Sequence, residues 1–203
     1  MLFERRSHTL TSVLVDCSSS QIFAIGSSMI LESMDKCEVY DVDTDTWTQA
    51  ANINTRRNFH SALAFGNKAL YVFGGFKGGN RTSLIEKLDL EKRSRWEILT
   101  LKFKENTEWT SLEGCGLFPI SVDHILIFGG YVNSETKTNT CYRLNVHTNE
   151  MEQLNCKTKT AANFYQRQPK RTRDGKLYCI ETTSLDIHVF DIKSYQWDLI
   201  DRE

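Results

Sequence analysis

An all-β fold, made of about four copies of one four-stranded sheet, is the architecture this 203-residue sequence predicts. Three recurring features carry the prediction. An apolar run ends in glycine, a second apolar run carries Asp or Asn, and a large side chain follows at a near-constant step. The clearest copy reads Leu70-Tyr71-Val72-Phe73-Gly74-Gly75, then Leu88-Asp89-Leu90, then Trp96. The next reads Ile125-Leu126-Ile127-Phe128-Gly129-Gly130, then Leu144-Asn145-Val146, then Met151. Upstream, Ile22-Phe23-Ala24-Ile25-Gly26 precedes Tyr40-Asp41-Val42 and Trp47; downstream, Leu177-Tyr178-Cys179-Ile180 precedes Phe190-Asp191-Ile192 and Trp197. The large residues at 47, 96, 151 and 197 lie 49, 55 and 46 positions apart. A period near 50 with four short strands per copy points to β-propeller blades rather than a helical solenoid.

Taken in order, the blades are expected over about 5–52, 53–101, 108–156 and 160–201, as one array spanning 1–203. In the first, Gly26-Ser27 stands where the central two copies have a double glycine, and in the fourth Glu181-Thr182 does. Glycine suits the end of a buried strand because the chain turns there at positive φ, where a Cβ clashes. The runs Tyr71 to Phe73 and Ile125 to Phe128 are short, apolar and bounded by turn residues, as buried strands are. The Trp of the last strand is expected to fill the wide outer wedge between neighbouring blades, with Met151 taking that place in the third.

On these residues the sequence resembles kelch repeats over roughly 5 to 200. Arg56-Arg57-Asn58-Phe59-His60-Ser61 is similar to the start of a kelch blade's innermost strand, and Arg5-Arg6-Ser7-His8 matches it one blade earlier. Kelch propellers usually close with more than four blades. The chain is therefore expected to form either a closed four-bladed ring or an open or truncated propeller, and in the open form uncovered blade edges favour oligomerisation or packing against another protein. It also implies that ligands are held on the face carrying the loops near 27–36, 76–84, 131–139 and 182–186, and the inter-blade loops near 48–58, 97–110 and 152–163. On that face Arg56, Arg57, Lys77, Asn80 and Arg81 are expected to form a basic rim suited to an acidic peptide. Tyr131 and Asn133 would add an aromatic anchor and an amide.

Composition narrows the remaining classes. Twenty-five Lys+Arg balance 26 Asp+Glu, which lacks the footprint of a nucleic-acid binder. The six cysteines (17, 37, 115, 141, 156 and 179) include no Cys-x-x-Cys pair, so neither a zinc knuckle nor a disulfide framework is expected, and a reducing compartment is. No apolar run spans a membrane, and the first residues do not read as a secretory signal. Phe76-Lys77-Gly78-Gly79-Asn80-Arg81-Thr82 lacks the Lys-Ser/Thr of a phosphate loop, and Asn80-Arg81-Thr82 fits a glycosylation acceptor only in a secreted chain. Asp41-Val42-Asp43-Thr44-Asp45 begins like a calcium loop, yet Thr46 occupies the required glycine position. It is expected to be a hairpin turn. The basic run Gln166 to Arg173 is expected to be an extended solvated loop before Asp174-Gly175. No histidine pair at metal-ligand spacing and no nucleophile elbow is present, so no catalytic, cofactor or metal site is expected. The functional expectation is a non-catalytic, cytoplasmic scaffold or adaptor that binds a protein, with the nucleus or cytoskeleton as other sites of action. The alternatives are a propeller enzyme with a central pocket and an architectural subunit.

Overall fold

The computed structural model describes residues 1–14, 19–27, 33–165 and 167–200; Cys17, Gln166 and part of the 27–36 loop lie outside the described residues. Blade 1 is a meander of β1 (Thr9–Leu14), β2 (Ser20–Ile25), β3 (Cys37–Asp41) and β4 (Thr46–Ala50). In blade 2, β5 (Ser61–Phe65) and β6 (Ala69–Phe73) are followed by a two-stranded ribbon, β7 (Phe76–Lys77) and β8 (Asn80–Arg81). The sheet then resumes with β9 (Ile85–Asp89) and β10 (Trp96–Ile98). Blade 3 opens with β11 (Lys102–Phe103), which pairs in parallel with the outermost strand. The meander itself is β12 (Gly116–Pro119), β13 (His124–Phe128), β14 (Thr140–Asn145) and β15 (Glu150–Lys157). Blade 4 is β16 (Lys170–Arg171), β17 (Lys176–Ile180), β18 (Ile187–Asp191) and β19 (Gln196–Ile200). The protein is thus all-β, with four propeller blades, each a four-stranded meander to which β11 adds a fifth strand in blade 3. Among the described residues there is no helix, hence none long and apolar enough to cross a membrane.

The repeat seen in sequence becomes a repeat in register. Tyr40 faces Trp47, Leu88 faces Trp96, Leu144 faces Met151 and Phe190 faces Trp197 across the last two strands of each blade. The Asp or Asn of the third strand closes the following turn in all four. Asp41 Oδ1 accepts from the N–H of Asp43 and Thr44, Asp89 Oδ1 from Glu91 and Lys92, Asn145 Oδ1 from His147 and Thr148, and Asp191 Oδ1 from Lys193 and Ser194. One residue per turn then takes a positive φ: Asp45, Arg93, Asn149 and Tyr195. Short Asx side chains satisfy the turn's N–H groups locally, which explains why this position is written four times. The calcium-like segment is this turn in blade 1.

The chain forms two compact units, Met1–Leu99 with blades 1 and 2, and Thr100–Glu203 with blades 3 and 4. In the first, Val13, Phe23, Ile25 and Cys37 of blade 1 pack on Ala62, Leu70, Val72, Leu88 and Trp96 of blade 2. The Trp96 indole N–H also donates to Ala51 O at 2.9 Å, in the connection between the two blades. In the second, Leu126, Phe128 and Cys141 of blade 3 meet Phe164, Leu177, Phe190 and Trp197. There Phe128 lies 4.8 Å from the Phe164 ring and 4.9 Å from Trp197. Inter-blade aromatic packing is therefore where Trp96 and Trp197 spend their surface. Trp47 departs from the expectation: it is half-buried and stacks on Tyr40 within its own blade at 5.1 Å.

The double glycine has two separate causes. A Cβ on Gly129 would stand 2.5 Å from Ala162 O, on the chain entering blade 4, while one on Gly130 would stand 2.9 Å from Glu113 O of its own blade. Both residues also sit at positive φ, +62 and +99. The first glycine lets the next blade approach; the second lets the blade's own leading segment approach. In blade 4, where Glu181-Thr182 replaces the pair, Glu181 caps the turn with its carboxylate, accepting from the N–H groups of Thr183 and Ser184.

Candidate functional site

The loops after the second strand are the candidate site, and the segment leading into each first strand determines how they are held. In blade 2 Asn58 forms an antiparallel bridge with Phe76: Asn58 N–H donates to Phe76 O at 3.1 Å and Phe76 N–H to Asn58 O at 2.8 Å. The β7–β8 ribbon therefore grows directly out of residues 56–58. Gly78 and Gly79 close it at φ +56 and +91, the type I′ geometry that matches strand twist, so these glycines make a tight turn rather than a hinge. Lys77 and Asn80 flank the turn, both exposed. The Arg81 guanidinium lies over the Phe76 ring at 5.0 Å, which fixes its place along the ribbon. Arg56 is exposed beside the ribbon's base, 3.8 Å from Asp35 Oδ2, a separation that leaves it largely to solvent.

Arg57 is not on this rim. Its side chain has no exposed surface and pairs with Glu86, equally buried on β9, at 2.5 Å. Its remaining donors reach Gly74 O at 2.8 Å, Leu84 O at 3.0 Å and Thr55 O at 3.3 Å. Glu86 in turn accepts from Asn54 N at 2.7 Å, Asn54 Nδ2 at 2.9 Å and Thr55 N at 3.0 Å. Burial pulls the guanidinium below its ordinary value, against the opposing pull of Glu86. Blade 1 repeats the device. Arg5 Nε donates to Glu38 Oε2 at 2.8 Å, and Nη1 to Gly26 O and Lys36 O at 2.9 and 2.8 Å. At the matching positions blade 3 has Leu112 and Tyr142, and blade 4 has Ala162 and His188, so cation and carboxylate disappear together. A buried charge without its partner is costly, which is why the two positions change as a pair.

Tyr131 and Asn133 occupy the same loop position in blade 3. Tyr131 bridges Glu113 and Lys137, with the Lys137 ammonium 5.6 Å from its ring centre. Lys137 also pairs with Glu181 of blade 4 at 2.8 Å. Asn133 is exposed, and its Oδ1 accepts from Glu135 N at 3.0 Å and Thr136 N at 2.8 Å, so its oxygen is committed to the turn. The structure thus brings Arg56, Lys77, Asn80 and Arg81 into one ribbon and its base. Tyr131 and Asn133 belong to the equivalent loop of the other unit, and Arg57 lies in the core of blade 2.

The basic run also differs from expectation. Lys170 and Arg171 form β16, paired with Tyr178 and Leu177, although both side chains are exposed. The buried ion pairs carried a readable signal that the sequence reading passed over. In Cys37-Glu38-Val39-Tyr40 and Ile85-Glu86-Lys87-Leu88 a carboxylate stands at the same step of the third strand, with an Arg 33 and 29 residues earlier. Among the described residues no group of three or more His, Cys, Asp or Glu side chains is arranged to hold a metal ion.

Comparison with known proteins agrees with this geometry. A family model described as "Kelch motif" matches residues 56–100, the stretch that makes blade 2. An F-box/kelch-repeat protein of Arabidopsis thaliana is 35% identical over 78 residues, covering 38% of this chain. The matched stretch is 29% of that relative, so the similarity spans under a third of its length.

Proposed function

We propose, from the premise that this is a kelch-repeat chain, that it is a non-catalytic protein-binding scaffold whose recognition loops include the β7–β8 ribbon. Kelch propellers are in general protein-interaction scaffolds. The observation that supports the ribbon is its construction: a rigid two-residue turn presents Lys77 and Asn80, with Arg81 pre-placed on Phe76 and Arg56 at the base. Ordering these side chains before binding removes part of the entropic cost of association. Three cations on one short ribbon and its base suit an acidic segment, to which arginine can bind through two parallel hydrogen bonds. Tyr131 and Asn133 offer an aromatic surface and a polar contact at the matching loop of blade 3.

A peptide-display selection against the intact chain tests this reading. The enriched peptides are expected to be acidic, and Lys77→Glu with Arg81→Glu should weaken their binding roughly tenfold or more. The melting temperature should stay unchanged. Enriched peptides without acidic residues, or binding that survives the double exchange, overturn it.

A further inference from the structure

Blade 3 holds two cysteines that neither the repeat nor the binding loops require. Thr140 faces Lys157 across β14 and β15, and one step inward the strands present Cys141 and Cys156. The register shifts between Thr140 and Tyr142, which faces Gln153, so β15 bulges beside Cys141. Cys141 has no exposed surface; Cys156 is half-buried, packed against the same core cluster, and both are free thiols. The Cys141 thiol donates to Asn139 O at 3.9 Å and interacts electrostatically with Cys156. Trp197 belongs to the same core cluster, only 2% exposed, and its Nε1 has no hydrogen-bond partner among the described residues. Cys156 and Trp197 also line one open cleft of about 340 Å³, alongside Lys157, Lys159 and Tyr195. A small oxidant therefore reaches Cys156 from solvent and Cys141 only through it.

We propose that Cys156 and Cys141 form a reversible redox pair, with Cys156 as the nucleophilic thiol and Cys141 as the thiol that resolves it, driven by a hydroperoxide. The Cys156 thiolate attacks the peroxide, an S–O bond forms as the O–O bond breaks, and hydroxide or alkoxide leaves with a proton. Cys141 then attacks the sulfenic sulfur. The S–S bond forms, the S–O bond breaks, and water departs carrying the Cys141 proton. Two electrons pass from the thiols to one peroxide, and a dithiol reductant reverses the change by exchange. Adjacent strands lie about 4.7–4.9 Å apart, within the Cα separation a disulfide spans.

The electrostatics agree with these roles. Its interaction with Cys141 holds the Cys156 thiol below its ordinary value, while burial opposes this. The same interaction and burial push Cys141 up. Cys37, by contrast, is fully buried and pushed up to about 12, and burial also raises Cys179. Low-pKa, accessible thiols beside a second cysteine are the ones that oxidise selectively.

The test treats the intact protein with one equivalent of hydrogen peroxide, blocks remaining thiols, and maps tryptic peptides without reductant. Trypsin separates the two sites, since Arg143 lies between them, so the disulfide appears as peptide 138–143 joined to 144–157. That species should form, vanish on adding a dithiol, and be accompanied by a change in Trp197 fluorescence. Before oxidation, iodoacetamide should label Cys156 roughly tenfold faster than Cys37, Cys115 or Cys179. In Cys141→Ser, Cys156 should stop at a sulfenic acid trapped by dimedone. Peroxide that leaves both thiols alkylatable, takes Cys156 to sulfonic acid in the unmodified protein, or joins it to another cysteine overturns the proposal. The wild-type peptide map decides the matter even if the serine variant does not fold.

Discussion

A guanidinium without exposed surface needs its donors answered inside the protein, and Arg57 finds Glu86 and three backbone carbonyls. Removing one partner strands the other, because Glu86 stays buried with a charge and no cation. Arg57→Ala should therefore cost about 3–5 kcal/mol. Replacing both groups with apolar ones, as in Arg57→Met with Glu86→Leu, should cost much less than the sum of the single changes. Urea titration of the four proteins forms the cycle; additive losses would show that the pair is not coupled. The same pair shows why sequence misplaces individual side chains. Arg56 and Arg57 are neighbours of one type in one inter-blade segment, yet one is exposed and the other buried. The difference comes from Glu86, which reaches Arg57 only after 29 residues of chain have folded back. No local pattern encodes that return, whereas a carboxylate repeated at one step of two third strands is a visible anomaly.

At the scale of the blade, legibility follows how local each feature is. The Asx turn and the facing large residue depend on neighbours within one hairpin, so their spacing appears in the sequence and survives into the register; the glycines are legible because each also turns at positive φ. The parallel strand β11 and the two-residue β16 do not, because Lys102-Phe103 and Lys170-Arg171 become strands only through partners far along the chain. The β7–β8 ribbon lies between: Gly78-Gly79 marks a turn, but Phe76 is placed by Asn58. Packing then separates residues that the repeat makes look equivalent. Trp96 is buried between two blades and hydrogen-bonded to Ala51, whereas Trp47 is half-exposed on Tyr40. Trp96→Ala should therefore cost about 3–5 kcal/mol, and Trp47→Ala about 1 kcal/mol. Equal losses in chemical denaturation would mean that both fill comparable wedges.

Over the whole molecule, protonation sets a stability profile with two acid limbs. His60 is held down to about 3, first by burial and then by Arg57, and burial also lowers His8, His124 and His188. His60 stays neutral in the folded protein, and the other three take up protons at lower pH than in the unfolded chain, which protonates near pH 6.5. The unfolded state therefore binds more protons as pH falls, and stability declines from about pH 6.5 downward. The carboxylates act later. Glu181 is held at about 2 because, against the cost of burial, Lys137 and three backbone N–H groups bind its charged form. Asp41, Asp89 and Asp191 are lowered by their turn N–H groups. With folded values below unfolded ones, their stabilisation is complete above about pH 4.5 and is lost as pH falls further. On the alkaline side, Cys37 and Tyr71 are both raised to about 12 by burial, so stability falls once the unfolded chain ionises them, above about pH 8.5. Urea midpoints should thus be level only between about pH 6.5 and 8.5. His60→Gln should shrink the first acid limb and leave the second in place, because Glu181 and the turn aspartates are untouched. A wild-type midpoint that holds steady from pH 7 to 5 would mean that His60 is not kept neutral by the fold.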